Sequence, residues 1–335
     1  MRPTSSRVPT AFGAAALLAG GLTLGTFSCN RTSEPTASKP AATSTAATVE
    51  KPVPEVRRIP APARIAAIGD LHGDLAATRA ALRLAGAIKD SDAWSGGDLM
   101  VVQVGDQIDR GDDDRAVLDL FDRLADQAKA AGGSVISLMG NHELMNVAQR
   151  FDYVTPGGFQ SFLGAPGANP NDPRVASDPE PARARAAAFL PGAPYARMLS
   201  KRPVAVVVGD TVFVHGGLLP KHVRYGVERI NHEVAAWMDG QSPQLPRIDE
   251  SEDSPTWQRR YSAAPDAQDC QVLGETLDLL RAKRMVMGHT VQRGGISSAC
   301  DERAWRIDVG LSAVYGGRPE VLVIEAGKVS VKGAP

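Results

Sequence analysis

Four of the six histidines in this 335-residue chain fall in a set of short, glycine-marked loops. The loops read Gly69-Asp70-Leu71-His72-Gly73-Asp74, Gly105-Asp106-Gln107-Ile108-Asp109-Arg110-Gly111, Gly140-Asn141-His142-Glu143, His215-Gly216-Gly217 and Gly288-His289-Thr290. Any single loop histidine could be a structural residue. Four of them beside aspartate and asparagine read as one site. Carboxylate, imidazole and amide oxygen together suit metals such as Mn, Fe and Zn. The loops hold no cysteine, which argues against a structural zinc. Asp70, His72, Asp106, Asn141, His215 and His289 make six protein ligands, too many for one open catalytic ion. They fit two ions about 3.5–4 Å apart that share a carboxylate. Such a pair makes a hydroxide at neutral pH and clamps both ends of an in-line displacement. Hydrolysis of a phosphate ester is the natural reaction.

The elements that must position these loops are legible around them. Apolar runs at 64–68, 99–104 and 134–139 read as buried strands, each ending at a loop. Between them, 74–86 and 113–130 carry apolar residues at helical spacing. Strand, helix, strand, helix, strand predicts an α/β sheet with helical crossovers. Ligands in open α/β sheets gather beyond the carboxyl ends of the strands, so the loops are expected to converge. Further on, 204–208 and 212–214 flank Gly209-Asp210 as a hairpin, 270–283 reads as a helix, and 284–287, 304–309, 320–325 and 328–332 read as strands. Residues 163–194 are rich in Pro, Gly, Ala and Arg and read as a surface excursion or lid.

The balance of 37 Lys plus Arg against 38 Asp plus Glu gives a net charge of −1, which argues against a broad nucleic-acid binder. Arg2 and Arg7, then an apolar stretch from Ala11 to Leu24, have the layout of a secretory signal over 1–29. Cys29 ends it much as a bacterial lipoprotein cleavage site would, although Thr26 and Phe27 depart from that pattern. The expected location is outside the cytoplasm, either periplasmic or anchored to a membrane by lipid. Residues 30–63 are dominated by Ser, Thr, Pro and Ala and read as a disordered tether. The folded part is then 64–335. An oxidising compartment would permit Cys270 and Cys300 to pair.

The ordered motifs resemble the calcineurin-like metallophosphoesterases, and more narrowly the phosphoprotein phosphatase group with its GDxHG, GDxxDRG, GNHE and HGG pattern. Within that group they look most like the bacterial Shewanella-like phosphatases. Pro255-Thr256-Trp257-Gln258-Arg259, Met285 to Gln292 and Ile307-Asp308-Val309-Gly310 support this. The resemblance runs from Gly69 to about Glu325. It implies a sandwich of two mixed β-sheets flanked by helices (α/β/β/α).

It also implies roles. Asp70 and His72 would bind the first metal, Asp106 would bridge, and Asn141, His215 and His289 would bind the second. His142 would be the general acid and Asp109 would orient it. Arg110 would grip the phosphoryl oxygens, and Arg259 would add a second contact. Asp74 and Glu143 are expected to support these residues or cap helices. The loop after His215 continues Leu219-Pro220, and Ser312 to Gly317 replaces a loop that the eukaryotic enzymes share. Tyr315 there either faces the site or is a core or surface residue. The expected substrate is a phosphorylated protein or a small phosphoester. The alternatives are a dinucleoside tetraphosphate hydrolase and an exported metal-binding protein without catalysis.

Overall fold

The computed structural model describes residues 54–249 and 251–333; the expected signal, Cys29 and most of the expected tether lie outside them. The strands in chain order are β1 (Arg58–Ile59), β2 (Arg64–Ile68), β3 (Met100–Gln103), β4 (Ser134–Ser137), β5 (Ala205–Val208), β6 (Thr211–Val214), β7 (Arg284–Met287), β8 (Ser297–Ala299), β9 (Ala304–Arg306), β10 (Glu320–Glu325) and β11 (Lys328–Gly333). The helices are α1 (Leu75–Ala85), α2 (Asp114–Ala130), α3 (Asn141–Val147), α4 (Pro156–Gln160), α5 (Ala182–Phe189), α6 (Pro194–Leu199), α7 (Pro220–Tyr225), α8 (Val227–Met238) and α9 (Ala267–Leu280).

Two mixed sheets form, ordered β11-β10-β2-β3-β4 and β1-β5-β6-β7-β9-β8. Strands β2, β3 and β4 are parallel neighbours, as crossover helices require. Alternation along each strand builds the layers. Ile65 and Ala67 of β2 point to the second sheet, meeting Phe213 and Val286 across the interface. Ala66 and Ile68 point the other way, onto Leu82 of α1 and Phe121 of α2. The second sheet covers its outer face with Leu273 and Leu277 of α9 and Val223 of α7. The result is the expected α/β/β/α sandwich. Its inner strands are buried on both faces, which is why they read as unbroken apolar runs.

Helix α1 shows how the local sequence sets these bounds. Asp74 caps it by accepting the Ala77 N–H at 2.8 Å, and Gly86 ends it at φ 80°. Helix α9 begins earlier than predicted, because Asp266 caps it through the Asp269 N–H, and it ends at Arg281 with φ 50°.

Three differences from the sequence expectations matter. The tether was predicted to run to residue 63, but Arg58 and Ile59 pair in parallel with Val207 and Val208. A two-residue strand bonded to a distant partner leaves no local periodicity to detect. Strand β8 was likewise unpredicted; it pairs antiparallel to β9. The 163–194 segment is a surface excursion only over its first part. Its helix α5 buries Arg185, Ala186, Ala187 and Phe189 beneath the site loops.

Candidate metal centre

The loops after β2, β3, β4, β6 and β7 meet at one end of the sandwich. Their backbones are bonded directly: Leu71 and His72 donate N–H groups to the Asp106 carbonyl at 2.9 and 3.0 Å. The side chain of Gln103 spans the Gly69 and Gly105 carbonyls. Glycine is required where a loop passes over a carboxylate. A Cβ on Gly288 would strike Asp70 Oδ1, and one on Gly140 would strike Asp106 Oδ1. His72, Asp106, Asp109, Arg110 and His289 all adopt left-handed backbone, with φ between 47° and 69°. Such conformations cost non-glycine residues about 1–3 kcal/mol each and persist where the surroundings impose them.

All six predicted ligands are brought together and buried. Asp106 is the hub. Its Oδ2 lies 3.2 Å from His215 Nε2, 3.7 Å from His142 Nε2 and 3.9 Å from His72 Nε2. Two clusters of potential ligand atoms share it: His72, Asp106 and His142, and Asp106, His215 and His289. Asn141 Oδ1 lies 3.0 Å from His215 Nε2. Asp70 Oδ2 lies 3.9 Å from His72 Nε2, and its carboxylate accepts the His289 N–H. The histidine rings are held by backbone carbonyls. His72 Nδ1 meets Ile108 O at 3.3 Å, His215 Nδ1 meets Val104 O at 2.8 Å, and His289 Nε2 meets Trp257 O at 2.9 Å. Such bonds fix which ring nitrogen is left to bind a metal.

The electrostatics ask for a cation. Burial, and then the neighbouring Asp308, push the Asp70 carboxyl well above its ordinary range. Asp308 is itself raised to about 6 by burial. Burial lowers His72 to about 3 and His289 to about 2, which favours the neutral ring in both. Burial also works against charge on His215, but Asp106 and Asp70 outweigh it and lift the ring to about 10. Among the described residues, no lysine or arginine forms an ion pair with Asp70 or Asp106. Buried carboxylates normally find a cation, and this oxygen and nitrogen donor set fits divalent metal ions.

The predicted catalytic residues line the same site. His142 Nδ1 lies 2.7 Å from Asp109 Oδ2, and Asp106, Asp109 and their hydrogen bond raise its pKa against the opposing effect of burial. The Arg110 guanidinium carbon sits 4.4 Å from the Tyr153 ring centre and 5.5 Å from that of Tyr315. Its buried Nε has no hydrogen-bond partner. Arg259 donates from Nη1 to the His289 carbonyl and the Thr290 hydroxyl, whereas Arg260 turns away to Asp269. Tyr315 faces the site, 5.3 Å from the His72 ring. Glu143 accepts three backbone N–H groups, from Asp106, Gln107 and Gly140. Asp74 caps α1 and accepts the Ala313 N–H.

Several site residues escaped the sequence. Tyr153 stacks on Arg110 and lies 5.1 Å from the His142 ring. Asn146 and Arg185 both bond Asp109 Oδ1. Asn146 stands one helical turn after His142, a spacing that could have marked it. Arg185 lies in an alanine-rich helix with no motif around it.

Residues 63–293 match the calcineurin-like phosphoesterase family. Among curated relatives, Shewanella-like protein phosphatase 2 of Arabidopsis thaliana is 42% identical, over 80% of this chain and 76% of its own. Shewanella-like protein phosphatase 1 of Plasmodium berghei (strain Anka) is 30% identical, over 74% of this chain and 67% of its own. Among solved structures, the cold-active protein-tyrosine phosphatase of a psychrophilic Shewanella species superposes with a TM-score of 0.66 at 20% identity, covering 83% of this chain and 82% of that one. The chain belongs to the calcineurin-like phosphoesterases and, within them, to the Shewanella-like protein phosphatases. It is a metal-dependent phosphatase, a hydrolase of phosphoric ester bonds.

Proposed function

We propose that the chain removes phosphate from phosphorylated protein side chains with the help of two metal ions. The observation that carries this reading is the 2.7 Å pair of His142 and Asp109 set beside Arg110, whose Nε has no hydrogen-bond partner. Asp70 and His72 would hold one ion, Asn141, His215 and His289 would hold the other, and Asp106 would serve both. Such ions, drawn from Mn, Fe and Zn, would supply a nucleophile at neutral pH and neutralise charge on the phosphoryl group.

The protein's own residues do the rest. Arg110 offers its guanidinium to the phosphoryl oxygens, with its plane held by Tyr153 and Tyr315. The Arg259 donors not used on His289 and Thr290 add to that grip. His142 gives the proton on Nε2 to the departing oxygen as the ester bond breaks. Its Nδ1–H stays on Asp109, whose charge stabilises the ring before the proton leaves. The names of the relatives support a protein substrate. The N-terminal pattern supports export, with Cys29 as a lipid attachment point, and the bond between Cys270 and Cys300 agrees with an oxidising compartment.

The test is phosphate release by the purified chain with added Mn²⁺. Substrates are phosphoserine, phosphothreonine and phosphotyrosine peptides and a dinucleoside tetraphosphate, each repeated with chelator. Chelator-sensitive release from peptides is expected. Release from the nucleotide alone would reassign the substrate class. No release from a metal-loaded sample would leave a binding protein.

A further inference from the structure

Arg185 is fully buried, yet it comes from a segment far in sequence from every site loop. Its guanidinium is almost completely used. Nη2 donates to Asp109 Oδ1 at 2.8 Å, Nε donates to Asn146 Oδ1 at 2.8 Å, and Nη1 donates to Asp114 Oδ2 at 2.6 Å and to the Gly158 carbonyl at 2.9 Å. The rings of Phe162 and Phe189 lie 4.9 and 5.2 Å from its central carbon. Water is thus kept from the whole group.

The bonds converge on one residue. Asp109 Oδ1 accepts from Arg185 and, at 2.9 Å, from Asn146. The Asp109 N–H is fixed by Asp114 Oδ1 at 3.0 Å, and Asp114 is fixed in turn by Arg185. One carboxylate oxygen and the backbone of Asp109 are therefore pinned, and Oδ2 alone is presented to His142 Nδ1. A buried ion cluster is a poor device for stability, because desolvation offsets much of its attraction. A planar fork that reaches two carboxylates and an amide at once suits orientation.

We propose that Arg185 is a positioning residue of the phosphatase reaction, holding Asp109 so that it can orient and charge-support His142. This rests on the reading of His142 as general acid, and the test separates the two. Lysine at 185 keeps the charge but, as a point donor, cannot span Asp109, Asn146 and Asp114.

The experiment compares Arg185→Lys with the unaltered full chain, both metal-loaded, on an aryl and an alkyl phosphate. An aryl oxide leaves without much need of a proton; an alkoxide does not. The expected result is a fall in kcat of about 10–100-fold for the alkyl ester and under about threefold for the aryl ester. KM is expected to stay within about twofold and metal content to stay the same. Equal slowing of both esters, or a change confined to KM, would overturn the proposal. His142→Asn is run beside it. If that variant slows both esters equally, the general-acid reading fails. If it shows the split and Arg185→Lys does not, the positioning role alone fails.

Asn146→Ala removes one bond to Asp109, one to Arg185 and one to the His142 carbonyl without unpairing a buried charge. It covers the case in which Arg185→Lys does not fold. The same split is expected at smaller size, and its absence would also overturn the proposal. In an Asp109→Asn background, Arg185→Lys is expected to add less than about twofold, because the route is already cut; full additivity would count against it.

Discussion

The carboxylate of Glu143 accepts the backbone N–H of Asp106 at 2.9 Å, so the first turn of α3 sets the backbone on which the proposed central metal ligand stands. The same carboxylate accepts Gly140 N–H at 2.7 Å and Gln107 N–H at 2.8 Å. Three strand-end donors that helix and sheet leave unpaired are thus satisfied by one buried side chain.

Glu143→Gln tests that relationship. The glutamine NH₂ would face backbone N–H donors on one side, so at least one bond is lost and two donors oppose each other. Stability is expected to fall by about 1–3 kcal/mol. Metal affinity is expected to fall about 10–100-fold, as for other supports of metal ligands. Denaturant unfolding and calorimetric metal titration read the two effects. Unchanged metal affinity would contradict the supporting role.

Asp106→Asn addresses the hub. The amide removes a charge from the position nearest to three histidines. The fold is expected to remain, since the core lies in the sheets below, while bound metal and phosphatase activity are lost together. Metal analysis after dialysis and a circular dichroism spectrum check this. An unaltered rate in this variant would rule out metal shared through Asp106.

His222 gives a pH dependence that is separate from the metal centre. It is buried in the first turn of α7, and its Nδ1 accepts the Leu219 N–H at 3.0 Å. Burial, then the Lys221 charge, lower it to about 4 from its ordinary 6.5. Between those values the unfolded chain binds more protons than the folded one. The stability this residue protects is therefore complete above pH 6.5 and is lost as pH falls towards 4. By pH 5 the loss is on the order of 2 kcal/mol. His222→Gln keeps a capping acceptor without the titration. Unfolding at pH 7.5 and pH 5 is expected to show a smaller acid loss in the variant by about that amount. Parallel pH profiles would refute it.

Cys270 and Cys300 are joined across 30 residues, tying the first turn of α9 to the turn between β8 and β9. Closing a loop of that length stabilises by about 3–4 kcal/mol through the unfolded state. Replacing both with serine is expected to lower the unfolding free energy by about that much. Adding reductant to the unaltered chain is expected to do the same. Insensitivity to both treatments would show that the bond contributes nothing.

What the sequence by itself determined was the chemistry and its local setting. Asp70, Asp106, Asn141, His215 and His289 could be read because each follows a strand or opens a helix within a few residues, and short strands buried on both faces leave unbroken apolar runs. Loops at the carboxyl ends of such strands converge by topology alone. Asp74 and Glu143 were legible as supports for the same reason, since a cap reaches only three residues along the chain. Tertiary structure decided what the chain assembles from distant parts. Strand β1 exists only because β5 accepts it. Tyr153 became a wall of the site only when Arg110 folded onto it. Arg185 stands 76 residues from Asp109. Nothing near it in the chain distinguishes it from a solvent-facing arginine of an alanine-rich helix. Its burial follows from Phe162 and Phe189 closing over it, and its partners follow from the loop after β3 meeting α2, α3 and α4 beneath the sheet ends. Contacts of that kind are set by packing across the fold, and no pattern of neighbours in the chain encodes them.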